Sequence, residues 1–169
     1  MQRSRYALAG LLLVLAPLLS GCAGPVLPER ADAPLYTNVT PGDDWTRVRR
    51  SRFSFSVPPG FQKLNLQPID SDAAVYARAD ASLHYDFGSY TAAPSIEGAD
   101  GVRERMRIGG RTATVVSYRR SDGPYVVKAW WEDVSRGPTG PHHLLMEAAF
   151  RSAQDRPQLL AAIYSVRFE

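Results

Sequence analysis

Cys22 is the only thiol in a chain of 169 residues, and it stands directly behind an apolar run. A chain with one cysteine closes no internal disulfide, so whatever folds here is held by its core alone, even in an oxidising compartment. The residues ahead of Cys22 point to such a compartment. Arg3 and Arg5 give a positive start, Tyr6 to Leu19 are mostly apolar with breaks at Gly10 and Pro17, and Ser20 and Gly21 are small. That is the layout of a secretory signal with a small-residue cleavage site. The stretch is too short and too interrupted for a membrane span, which takes about 20 predominantly apolar residues.

Leu19-Ser20-Gly21-Cys22 resembles the bacterial lipoprotein box, over residues 1–22. The resemblance implies cleavage before Cys22, thioether lipidation of its sulfur, and acylation of the new amino group by a palmitate-type chain. Ala23 follows where aspartate would favour inner-membrane retention, so the family's sorting tendency places the protein at the cell outer membrane, its domain facing the periplasm. One acyl chain holds a protein marginally and two or more hold it stably, at about 0.8 kcal/mol per buried methylene. The alternatives are a secreted protein with a free thiol and an uncleaved signal anchor.

The chain then divides into a signal peptide (1–21), a lipidated N-terminus with a proline-rich tether (22–44) and one periplasmic domain (45–169). Pro25, Pro28, Pro34 and Pro41 with Gly24 and Gly42 predict a flexible, partly polyproline-like spacer reaching roughly 25 Å. In the other reading of this segment, Leu35, Tyr36 and Val39 pack on the domain as an arm. Cleavage removes Arg3 and Arg5 and no acid, leaving 18 basic residues against 17 acidic ones. The near-neutral balance gives no general nucleic-acid footprint.

Within 45–169 the alternation of Phe53, Phe55 and Val57 with Ser54 and Ser56 predicts a half-buried strand, stopped by Pro58-Pro59-Gly60. Further strands are expected over 61–66, 73–79, 82–90, 102–108, 112–119, 125–134 and 142–150. A mobile loop is expected over 91–101, tight reversals at Asp80-Ala81, Gly109-Gly110 and 121–124, and a loop over 136–141. Residues 125–134 are apolar on both faces and suit a buried position in the sheet. Asp155 is placed to cap a helix from about Pro157, with Leu159, Leu160, Ile163 and Tyr164 on its apolar side. Short turns make neighbours antiparallel, and the helix must cover a sheet face, so the expected class is α+β: a mainly antiparallel sheet with a C-terminal helix packed on it.

Three segments, 53–61 (FSFSVPPGF), 86–90 (DFGSY) and 159–168 (LLAAIYSVRF), resemble the PsbP/Mog1-like domains, which also occur on bacterial lipoproteins of unknown role. The resemblance implies a central antiparallel sheet flanked by helices, an α/β sandwich, and a binding or assembly role without a catalytic residue set. The chain departs from the pattern in having no long helix early in the domain.

Strand alternation puts His84 with Asp86 and His143 with Glu147, a set that would reach a metal only if the two strands were neighbours in the right register. No serine sits in a nucleophile elbow, and no glycine loop has phosphate-binding form. Asp70, Asp72, Asp86 and Glu132 are the carboxylates a hydrolase would draw on. Arginines are more pointed: Arg47, Arg49, Arg50 and Arg52 cluster where the domain begins, and Arg103, Arg105 and Arg107 form a row suited to phosphate or carboxylate. Near a membrane such a row meets lipid headgroups, another anionic envelope component or an acidic envelope protein; otherwise it keeps a strand edge solvated. Trp130 and Trp131 point to opposite faces, so one turns away from the main core unless both faces are covered; cover by the C-terminal helix is expected for it, with a ligand platform as the alternative. The sequence therefore predicts a non-enzymatic binding or accessory module without cofactor or metal. A small-ligand carrier with a pocket between sheet and helix is the alternative, and an envelope hydrolase comes third.

Overall fold

The computed structural model describes residues 39–65 and 67–169; Cys22, the signal segment and most of the tether, with Leu35 and Tyr36, lie outside the described residues. Ten strands are described: β1 (Thr46–Arg49), β2 (Phe53–Val57), β3 (Gln62–Lys63), β4 (Asp72–Arg78), β5 (Ala81–Gly88), β6 (Ala99–Ile108), β7 (Arg111–Arg119), β8 (Tyr125–Gly137), β9 (Gly140–Phe150) and β10 (Arg167–Phe168). A 3-10 turn (Ala153–Asp155) leads into helix α1 (Arg156–Tyr164). The class is α+β, mainly antiparallel sheet with one short C-terminal helix.

Seven strands form one sheet in the order β3-β4-β5-β9-β8-β7-β6, and β1-β2-β10 form a second. Every pairing is antiparallel. The large sheet is two meanders, β3-β4-β5 and β6-β7-β8-β9, zipped together along β5 and β9. Its inner face carries Leu83, Tyr85, Val115, Ala129, Trp131, Leu144, Met146 and Ala148, all essentially inaccessible. The small sheet lays Phe53 against Tyr85 and Phe87, and Phe55 against Tyr76 and Tyr85, with ring centroids 5.4–6.0 Å apart. Helix α1 completes the cover with Leu159, Leu160 and Ile163.

The strands at 53–57, 73–79, 82–90 and 102–119 form close to where alternation put them, and β8 lies one place from the centre of its sheet. Other expectations need correction. The strand over 61–66 shrinks to Gln62–Lys63, because Leu64 turns outward (44 % exposed) and core contact ends there. The loop expected over 136–141 is only Pro138-Thr139, since β8 and β9 pair down to Gly137 and Gly140. The segment taken as a mobile loop is tied down. Thr91 and Pro94 are buried, and strand structure starts at Ala99, with a bulge before Val102 and Asp100 at φ +55. Asp155 precedes α1 but makes no side-chain cap; it pairs with Arg78 instead, and Ser152 Oγ accepts from the Gln154 N–H to cap the 3-10 turn. Ala161 and Ala162 are buried along with the larger residues, so α1 is covered nearly all round rather than on one side.

Candidate functional site

The arginines are the residues to place first. Arg103, Arg105 and Arg107 lie on the outer face of β6, opposite Val116, Thr114 and Thr112 of β7. All three are exposed, and β6 is an edge strand. Arg103 donates to the Pro94 carbonyl at 2.7 Å and so helps hold the 89–98 connection. A charged row on an edge also blocks further strand addition.

A second arginine group is more concentrated. In the small sheet Arg47 stands opposite Ser56, while Arg49 and Arg167 both stand opposite Ser54 from its two sides. Alternation turns Val48, Phe53, Phe55 and Phe168 toward the core, so Arg47, Arg49, Arg167, Ser54 and Ser56 share the opposite face. Ser54 and Ser56 are nevertheless only 6 % exposed. Arg47 lies over them: its Nη2 donates to Ser54 Oγ at 2.6 Å, and its Nη1 donates to Ser56 Oγ and the Ser165 carbonyl at 3.3 Å each. Ser165 Oγ in turn accepts the Ser56 N–H at 2.7 Å and donates to the Ala162 carbonyl at 2.7 Å. Arg167 Nη1 donates to the carbonyls of Tyr164 and Val166 at 3.0 and 2.7 Å. Both guanidinium groups are thus fixed by neutral acceptors. Burial, then the charges of Arg167 and Arg49, hold the Arg47 pKa below the ordinary arginine value. Among the described residues none of these three arginines has a carboxylate partner. A cleft of about 280 Å³ opens beside them, lined by Val39, Thr40, Pro41, Arg47, Tyr164 and Arg167 among others. Val39 to Pro41 therefore already belong to the wall of the domain, ahead of the boundary expected at Trp45.

The outer face of the large sheet holds a different group. The connection from β5 to β6 has to pass over β9, β8 and β7, and it is latched on the way. Glu97 Oε1 lies 3.2 Å from Lys128 Nζ, and Glu97 Oε2 accepts from the Tyr118 hydroxyl at 3.2 Å. Lys128 is 8 % exposed and also lies 3.5 Å from Glu147 Oε2, whose other oxygen takes Arg120 Nη2 at 3.1 Å. Burial works against the Lys128 charge, but Tyr118, Glu147 and Glu97 outweigh it and raise its pKa. The hydrogen bond and charge of Lys128 lower the pKa of Glu97. These charges are mutually satisfied, which suits a latch better than an open site.

On the inner side, Tyr85 accepts from Arg50 and donates to Asp72 Oδ1 at 2.8 Å, while Arg50 Nη2 lies 3.0 Å from Asp72. Burial, the first of several influences, raises the Tyr85 pKa. The triad pins β1 and β4 over the core.

The register brings His84 directly opposite Glu147, with Asp86 opposite Leu145, so the four-residue set does share the outer face. His143 is drawn off by stacking on Trp130 at 5.4 Å and by accepting the Asp133 N–H at 3.2 Å. His142 sits against Phe87. Among the described residues no three His, Cys, Asp or Glu converge on a metal-sized centre. Asp70 and Asp72 border an open cleft of about 500 Å³ with Tyr90 and His142; Asp86 and Glu132 do not line it. Trp131 is the buried member of the tryptophan pair, with Phe168 of β10 at 5.7 Å, in the core that α1 joins; the outward member, Trp130, lies on the other face and is covered by His143 at 5.4 Å instead of by the helix. No helix among the described residues is long and apolar enough to cross a membrane.

Neither a protein-family model nor a curated protein matches this chain. The reading of the site therefore rests on its own geometry. Sequence reasoning named Arg47 and Arg49 as a cluster but missed Arg167 as their partner, because β10 is two residues long and pairs with β2 more than a hundred positions away.

Proposed function

We propose that the chain is a lipoprotein of the cell outer membrane, anchored through Cys22, whose domain faces the periplasm. There it acts as a non-enzymatic binding or accessory module for an anionic component of the envelope. The observation that carries this reading is the arginine–serine face of the small sheet. Arg47 and Arg167 are held in place by hydroxyls and carbonyls, Arg49 extends the same face, and the three lack carboxylate partners among the described residues and lie near the point where the chain arrives from Cys22. Fixed, uncompensated guanidinium groups suit recognition of phosphate or carboxylate. An antiparallel sheet backed by a C-terminal helix is also compatible with a PsbP/Mog1-like α/β sandwich, and we assign the domain to that type. The single described helix, with a second sheet sharing its layer, departs from cover by helices on both faces.

The test is crosslinked recovery of the intact protein from cell envelopes beside a Cys22→Ser variant, with mass spectrometry of the mature N-terminus. The expected result is a diacylglyceryl-modified residue 22 in the wild type, and loss of both membrane fractionation and partners in the variant. An unmodified terminus, or identical partners in the same fraction for both proteins, overturns the proposal.

A further inference from the structure

We propose that Arg47, Arg49 and Arg167 form a binding site for the phosphate group of an anionic phospholipid headgroup, so that the domain itself, and not only its acyl anchor, engages the bilayer. The inference deepens the reading above and rests on it for the proximity of a membrane. The donor set fits a phosphodiester. Arg47 spends three N–H groups on Ser54, Ser56 and Ser165 and keeps its Nε–H and one Nη2–H. Arg167 commits only Nη1, leaving Nη2 and Nε. Arg49 extends the row from the same strand face. Three guanidinium groups that repel one another across two short hydroxyl side chains are stabilised by an anion placed among them; burial first, and then the charges of Arg167 and Arg49, lower the Arg47 pKa.

The surroundings favour a phosphate carrying an apolar stem over a free ion. Beyond Arg47 and Arg167, the wall of the 280 Å³ cleft sets apolar Val39, Pro41 and Ala161 beside Thr40, Ser56, Tyr164 and Ser165. Tyr164 and Arg167 are shared with a neighbouring cleft of about 330 Å³, where Met106 and Ile108 continue the apolar surface. A headgroup phosphate among the arginines would have its glycerol and first methylenes beside this wall. Location agrees: Val39 follows Cys22 by 17 positions, and a chain of that length cannot reach beyond roughly 60 Å. The arginine face is on the side of the domain where that chain arrives.

The experiment uses the chain from residue 22 with Cys22→Ser, which carries no acyl group and keeps the described core, since among the described residues the buried hydrophobic side chains lie between Phe53 and Val166. Co-sedimentation is measured with phosphatidylcholine vesicles, with and without one third phosphatidylglycerol, at low and high salt. Binding only to the phosphatidylglycerol vesicles is expected, falling with salt. Arg49→Gln and Arg167→Gln, which leave Arg47 and its serines untouched, should each weaken it by about fivefold. Arg136→Gln, at the exposed end of β8, should leave it unchanged. An unchanged melting temperature checks that the variants fold. Equal binding to both vesicle types, or no effect of the two substitutions, overturns the site. Saturable binding of inorganic phosphate to the same arginines without vesicle binding overturns the lipid source in favour of a soluble phosphate. Failure of the anchor reading shows separately, as an unmodified residue 22 in cell-derived protein.

Discussion

Arg47 illustrates how one residue joins fold to function. Its guanidinium closes over Ser54 and Ser56, turning what alternation marks as a solvent face into a buried one, and still presents charge outward. The tryptophan pair shows the opposite division of labour. Trp131 is fully buried, edge-on to Phe168, and its Nε1 donates to the Ile108 carbonyl at 3.3 Å. Trp131→Ala is expected to cost about 3–5 kcal/mol, read as a lower urea midpoint at unchanged slope. Trp130→Ala, on the half-buried outer face, costs clearly less. Glu97 gives a pH prediction. Lys128 depresses its folded pKa, so its contribution to stability is present above the unfolded value of roughly 4.3 and is lost as pH falls through the lower folded value. Half of the Glu97 side chain is exposed, so the pair is worth about 0.2–1 kcal/mol. Glu97→Gln should lower the urea midpoint slightly at pH 7 and match the wild type in acid below that folded pKa.

At the scale of elements, the hairpins were readable and the long-range pairings were not. Gly109-Gly110 between two alternating runs announces a turn, and both glycines adopt positive φ. The two differ in what surrounds them. A Cβ at Gly109 would meet the Val166 carbonyl oxygen at 2.6 Å, whereas one at Gly110 meets open space. Both alanine variants bear the left-handed backbone strain of about 1–2 kcal/mol, but Gly109→Ala must also push β10 away. It should therefore show the larger drop in melting temperature. Residues 91–101 read as a mobile loop from composition alone, with Pro94, Gly98, Asp100 and Gly101, yet β6 already begins at Ala99. The latch consists of single side chains, Glu97 on Lys128 and Arg103 on Pro94, whose partners only the sheet order brings near. The same lack of local signal hid β1 and β10. A strand of four residues, β1, or of two, β10, has too little periodicity to detect, and with it went the completeness of the arginine site.

Among the described residues the molecule is two layers around one main core, with a smaller buried cluster of Val116, Tyr118 and Val126 on the outer face, and its surface splits into an edge row on β6, a latched outer face and a cationic patch near residue 39. Sequence patterning reached the α+β class because alternation and turn residues are local. It did not reach the second sheet, in which β1 pairs with β2 and the last residues return to add β10 on the other side. Partners in both critical pairings, β5 with β9 and β2 with β10, are separated by some 60 to more than 110 positions. Such non-local topology predicts slow folding: refolding by dilution from urea should fall in the millisecond-to-second range, not microseconds.

Both sheets are thus closed by the tail of the polypeptide. A chain delivered end-first, residue 39 ahead of residue 169, holds β2 and β5 with bare edges until the final third has followed, and remains threadable for that interval. Translation that stops short of Gly140 leaves three loose ribbons, β1-β2, β3-β4-β5 and β6-β7-β8, instead of a smaller domain, and exposed strand edges of that kind invite aggregation and clearance.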